Sequence, residues 1–403
     1  MANAWLLAVA LVAVAPLAAA DAVTDWDKVA CDIVGGVKVA TPLGVRTMAV
    51  AQTAVFEAVN EITGRYPGSS RSRAPQASVD AAVAAANRAV LAALVPDQKA
   101  AIEAAYAKAL AAIDEGAARD AGVAIGERAA DDVLARRKDD GSLAPESYRP
   151  VTSAGAYVPT TLPVASQWPK RKPWLMSDAA QFRPGPPPAL DSETWARDYN
   201  EVKSLGARAG SARNAEQTEI ARFWEATLPS IYHGVIRSVA DRPGREITAN
   251  ARLLAAIAQG MDDALTAVFD AKYHYNFWRP VTAIRNGELD GNDATAADPR
   301  WLPFIDTPMH PEYPCAHCVL AATVGTVLKA EAGDDPIAEL STTSYTLEGI
   351  TRRWTSTDDF IQEVANGRIY DGVHYRNSTE AGTAMGRKIG GLAAGKFFST
   401  PGQ

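Results

Sequence analysis

Three short stretches in the C-terminal third carry residue types from which a catalytic site could be made: Lys272 to Pro280, Pro314 to His317 and Arg368 to His374. They hold three cations, Lys272, Arg279 and Arg368, and three histidines, of which His317 and His374 are the candidates for chemistry. A tetrahedral oxyanion taken out of bulk water needs its charge balanced, and Arg offers a planar fork for two oxygens while Lys offers a compact point charge. One neutral imidazole can attack or ligate the central atom while a second moves a proton, because imidazole titrates near neutral pH. Alone, each stretch has an ordinary reading as a solvated helix end or a proline opening a helix. Their order, their internal spacing and the clustering of His274, His310, His317 and His374, with only His233 elsewhere, point to a site.

The three stretches resemble the signature K-x6-R-P, P-S-G-H and S-R-x5-H-x3-D of the type 2 phosphatidic acid phosphatase (PAP2) and vanadium-dependent haloperoxidase superfamily. Pro173-Trp174, Phe182 to Leu190 and Gly372 to Arg376 are similar to its bacterial haloperoxidase-like branch. The resemblance implies an all-α fold of two packed helical bundles, with the anion site in the C-terminal one. It also implies catalytic roles for His374 as nucleophile or vanadium ligand, His317 as acid-base group and Lys272 as polariser of bound peroxide. Lys272, Arg279, Cys315, Ala316 and Arg368 would hold vanadate or phosphate. The first expectation is therefore a haloperoxidase with vanadate as cofactor, acting on halide and peroxide. The alternative is a phosphatase that hydrolyses phosphate monoesters through a phosphohistidine at His374 and needs no cofactor. A third is an oxyanion binder without turnover. His310, seven residues before His317, resembles bromide-oxidising relatives, where chloride-oxidising ones tend to carry an aromatic. It is the candidate for halide selectivity, with bromide expected over chloride.

The chain departs from that signature in four places: Cys315 for Ser, Ala316 for Gly, Gly367 for Ser, and Ser378 for the Asp four residues after the histidine. Ala316 keeps its amide and resists only a positive φ. A free Cys315 thiol beside a helix N-terminus and three cations would ionise, repel a bound anion and be oxidised by bound peroxide; a Cys315 to Cys318 disulfide would relieve both problems. Ser378 supplies no countercharge to His374, so a backbone carbonyl or another carboxylate must take over, or the histidine is a weaker nucleophile. The Cys-Ala-His-Cys string lacks the alternating strands and helices of a thioredoxin-type protein. His233 and His274 are expected in the core or on the surface.

The elements that must position these residues read as helices. From Thr41 to about Arg137 the chain is Ala-rich with helical spacing, as at Val45, Met48, Phe56 and Val59, and the pattern resumes over residues 214 to 239 and 247 to 270. Residue 314 precedes an apolar run whose helix would start at Cys315, Ala316 and His317, turning its positive end to the anion. A helix beginning near Asp358 would reach Arg368, and 378 to 398 reads as the closing one. Between Pro145 and Pro188 lie ten of the 25 prolines together with Trp168, Trp174 and Phe182, which predicts an ordered crossing rather than helix. Little sheet is expected. The division is a signal peptide at 1–20, a first bundle at 21–140, the crossing at 141–190 and a second bundle at 191–403. The apolar stretch before Asp21 is short for a membrane span and ends in small residues, so the mature protein is expected to be exported, periplasmic or secreted, without stable membrane insertion. A net charge of −7 argues against nucleic acid as partner.

Overall fold

The computed structural model describes residues 21–37, 40–67, 73–159, 161–227, 229–337 and 339–399; the expected signal peptide at 1–20 lies outside them. The first five helices are α1 (Ala22–Gly35), α2 (Thr41–Thr63), α3 (Val79–Leu94), α4 (Lys99–Ala111) and α5 (Ala117–Arg137). Asp21 and Ser78 start α1 and α3 by accepting hydrogen bonds from otherwise unpaired helical amides. Helices α2, α3 and α5 pack on one another through alanine-rich faces, and α1 packs on α3.

After the crossing come α6 (Glu193–Leu205), α7 (Ala215–Trp224), α8 (Ser230–Ala240), α9 (Ile247–Tyr275), α10 (Pro280–Arg285) and α11 (Ala316–Ala332). A hairpin of β1 (Leu340–Ser344) and β2 (Leu347–Trp354) precedes α12 (Thr357–Tyr370) and α13 (Arg376–Phe398). The fold is therefore mostly helical, with one antiparallel pair of strands among the described residues. Helices α9, α11, α12 and α13 form the second group, and α2 packs on α9 to join the two.

Glycine sets how closely α11 approaches α13. A Cβ on Gly382 would lie 2.6 Å from the carbonyl oxygen of Cys315, and one on Gly386 would lie 2.2 Å from that of Val319. This close approach ties the start of α11 to a fixed backbone, with the Cys315 amide donating to the Ser378 carbonyl at 3.2 Å.

The crossing is ordered by charge. Arg171 is held by Asp140 and Asp262, the backbone amides of Trp174, Leu175 and Met176 donate to Asp263, and Arg183 pairs with Asp270. Trp168 is buried, and the Trp174 indole N–H donates to Asp262 at 2.8 Å. Among the described residues no helix is long and apolar enough to cross a membrane.

Candidate oxyanion site

Each motif residue comes from a place where a helix ends or begins. Lys272 lies in the last turn of α9, which stops at Asn276 in the left-handed conformation (φ 48°). The chain reverses through Phe277 and Trp278, and Arg279 caps α10 with Pro280 in the first position. Arg368 lies in the last turn of α12; Gly372, at φ 79°, makes the turn that sets His374 just ahead of α13. Only glycine serves there, because a Cβ would also meet the Gly206 carbonyl oxygen at 2.3 Å. Trp195 of α6 braces both turns, with ring centroids 5.8 Å from Trp278 and 4.9 Å from Tyr375.

His374 is the centre of the arrangement. Its Nδ1 lies 2.6 Å from Oε1 of Glu312, and its Nε2 lies 3.3 Å from Nη1 of Arg279. A guanidinium can only donate, so Nε2 carries the lone pair and Nδ1 the proton. Burial first, then Arg279, Lys272 and Arg368, push the His374 pKa well below its ordinary value, and the ring is neutral. His317 has the other tautomer: its Nε2 lies 3.0 Å from the Ala226 carbonyl and must donate, which leaves Nδ1 as acceptor. Burial and then Arg368 hold it neutral too.

The cations are buried and short of countercharge. Lys272 donates to the carbonyls of Pro311 and Glu312 at 3.0 and 2.7 Å, and Arg279 to those of His310 and Val373 at 3.0 and 2.9 Å. Arg368 pairs with Asp371 and donates to the Trp224 carbonyl at 2.6 Å, while its Nε has no partner. Burial, then the neighbouring Arg279 charge, draws the Lys272 pKa well down, and burial takes Arg279 down to about 10. Against these three cations stand two buried carboxylates, Glu312 and Asp371, both raised to about 7 by burial. A bound oxyanion would supply the missing negative charge, so these residues fit vanadate or phosphate.

A cavity of about 290 Å3 opens onto this cluster. His310, Ala316, His317, Arg368 and His374 line it, and the buried Arg279 touches His310 and His374 of that lining. His310 is joined to the cluster by Nη2 of Arg279, 3.0 Å from its Nδ1. Ala316 takes the first helical position of α11, with no positive φ. His274 is exposed and His233 is buried beside Asp27, away from the cluster.

Cys315 requires a correction. It is joined to Cys318, fully buried and off the cavity wall, and its amide is already bonded to Ser378, so it is no oxyanion ligand. Sequence reasoning also missed Glu312. Ser378 reaches only 3.5 Å from Nδ1 of His374, and Glu312, 62 residues before the histidine, provides the carboxylate. Its only signal was an acidic residue in a short stretch between two prolines, Pro311 and Pro314.

A family model for the VCPO second helical-bundle domain matches residues 252–400. The whole chain is similar to the structure titled as the first bacterial vanadium-dependent iodoperoxidase, with a TM-score of 0.79, 23% identity, and coverage of 93% of this chain and 96% of that one. It is also similar to apo- and holo-type bacterial vanadium-dependent chloroperoxidase, each with a TM-score of 0.69 and 18% identity, covering 88% of this chain and 92% and 91% of theirs. No curated protein matches the sequence.

Proposed function

For a chain with the fold of the bacterial vanadium haloperoxidases, we propose a vanadate-dependent haloperoxidase that oxidises halide with hydrogen peroxide, bromide and iodide before chloride. The observation that carries this reading is the surplus of buried cations beside two neutral histidines whose lone-pair nitrogens are fixed by their partners. Lys272, Arg279, Arg368 and the Ala316 amide would hold vanadate, with His374 Nε2 as its protein ligand. When bound, vanadate supplies a Lewis acid that activates peroxide without changing its own oxidation state. Glu312 keeps the His374 proton on Nδ1 and the lone pair on Nε2. His317 accepts a proton at Nδ1, and the apolar walls at Leu265, Phe269 and Leu320 limit water around the reacting groups. The disulfide removes the chief objection, a thiol oxidised beside the anion, and favours an oxidising, extracytoplasmic compartment.

The test is reconstitution of the purified protein with vanadate, followed by assays of iodide, bromide and chloride oxidation beside hydrolysis of a phosphomonoester. Vanadate-dependent halide oxidation is expected. Phosphoester hydrolysis with no halide oxidation would replace this reading with the phosphatase one.

A further inference from the structure

The cavity that reaches His374 also exposes one soft nucleophile. Met309 lines its wall next to His310 and is 40% exposed, whereas Met48, Met176, Met261 and Met385 are at most 6% exposed. The segment is fixed, since the Met309 carbonyl accepts from the Val164 amide at 2.7 Å. The thioether is also placed, with Thr161 Oγ1 donating to Sδ at 3.2 Å. Cys315 and Cys318 are joined in a disulfide, buried and absent from the cavity lining, and Cys31 is buried in α1.

We propose that Met309 is a self-modification site: its thioether captures hypohalous acid on the way out of the cavity and becomes the sulfoxide. This rests on the haloperoxidase reading. The sulfur lone pair attacks the halogen, the O–X bond breaks and hydroxide leaves. Water then adds to sulfur, halide departs and two protons are lost, one of them neutralising the hydroxide. The sum is thioether plus HOX giving sulfoxide, halide and one proton, with sulfur oxidised by two electrons and halogen reduced by two. Thr161 already points a hydroxyl at this atom and can donate to the new sulfoxide oxygen. The change puts a polar group into a wall shared with Val164, Pro308 and Phe269, so it alters the apolar lining of the cavity.

The experiment uses vanadate-loaded protein turning over bromide and peroxide in excess free methionine, with halide oxidation measured in the same tube and each methionine followed by peptide mass spectrometry. Capture inside the cavity is intramolecular, so free methionine in solution should not prevent it. The expected result is a one-oxygen gain at Met309, with Met48, Met176, Met261 and Met385 unchanged. Met309→Leu, a volume-conserving change, is expected to complete at least about twofold more turnovers before its own initial rate halves. The proposal is overturned if Met309 stays unmodified during halide oxidation, if free methionine protects it, if peroxide without vanadate or bromide modifies it equally, or if Met309→Leu loses activity at the wild-type pace. Absence of halide oxidation in the same tube would instead remove the functional reading, and this inference with it.

Discussion

Helix α9 carries two buried charge clusters about 15 Å apart along its axis, one at Asp262 and Asp263 and the other at Lys272. The first is matched: Arg46, Arg137 and Arg171 stand against Asp140, Asp262 and Asp263, and Arg171 has an oxygen of Asp262 at 2.6 Å and one of Asp140 at 2.9 Å. The pairing shows in the titration of Arg171, raised, and Asp140, lowered, each by its partners against the opposing effect of burial, while burial outweighs the partners at Arg137, which is lowered, and at Asp263, raised to about 6. The second cluster is unmatched: burial lowers both Lys272 and Arg279, whose hydrogen-bond partners are neutral carbonyls and imidazoles. Both clusters are buried, and they differ in how far the chain supplies its own counterions. The matched cluster pins the crossing segment to α9, and the unmatched one leaves a place for an external anion.

The largest expected effect tests whether that anion is bound for chemistry. His374→Ala removes a neutral ring and leaves every cation, so it should weaken vanadate or phosphate binding only partly while lowering turnover by about 10^2- to 10^4-fold. Unchanged steady-state rates in that variant would reduce the second cluster to a binding site.

Next in size is the contrast itself. Arg171→Met takes from Asp262 its ion-pair partner and from Asp140 one of three, and should cost about 3 to 5 kcal/mol in denaturant unfolding, whereas Lys272→Met relieves repulsion and should change stability without ligand by less than about 1 kcal/mol. Saturating vanadate should raise the melting temperature of the wild type and of Arg171→Met, and raise that of Lys272→Met far less. Equal losses in the two variants would show that the clusters do not differ in kind.

These clusters also differ in how far the sequence discloses them. Lys272 to Arg279 and Arg368 to His374 are legible because each spans a single helix end and turn, so spacing along the chain stands in for geometry. The start of α11 was legible for the same reason. Glu312 was not, since its approach to His374 depends on how the segment before α11 lies over the start of α13. Nor was the pairing of Arg171 with Asp140 and Asp262, which joins three separate elements. The hairpin escaped notice because β1 buries Thr342 and Ser344, whose hydroxyls donate to the carbonyls of Ile231 and Phe223; its alternation is written in polar residues.

A smaller effect belongs to Glu312. Its carboxyl titrates at about 7 in the folded chain against an ordinary 4.5, so its contribution to stability is full below 4.5 and is lost as pH rises to 7. The buried histidines, held below their ordinary 6.5, act in the opposite sense. The comparison with Glu312→Gln isolates the carboxyl: from pH 4.5 to 7.5 the melting temperature of the wild type should fall relative to that of the variant. Activity of Glu312→Gln should drop by about 10- to 100-fold, since Gln can orient Nδ1–H but offers no charge. A variant with the wild-type pH profile of stability would assign the raised pKa elsewhere.

The smallest effect concerns a counterion the second cluster could acquire. Reducing the Cys315–Cys318 disulfide releases a thiol at the N-terminus of α11, where the helix dipole favours the thiolate, and that charge would partly match the cations and compete with the anion. Reduction should therefore weaken vanadate affinity modestly and shorten oxidative lifetime, because the freed thiol is itself oxidisable. The double change Cys315→Ser and Cys318→Ser separates charge from cross-link. It loses the cross-link, worth about 2 kcal/mol for so short a loop, but adds no negative charge, so it should melt lower while keeping wild-type affinity and lifetime. If reduced wild type and the double variant lose vanadate affinity equally, the disulfide acts by holding the start of α11 in place, and the charge argument for this pair fails.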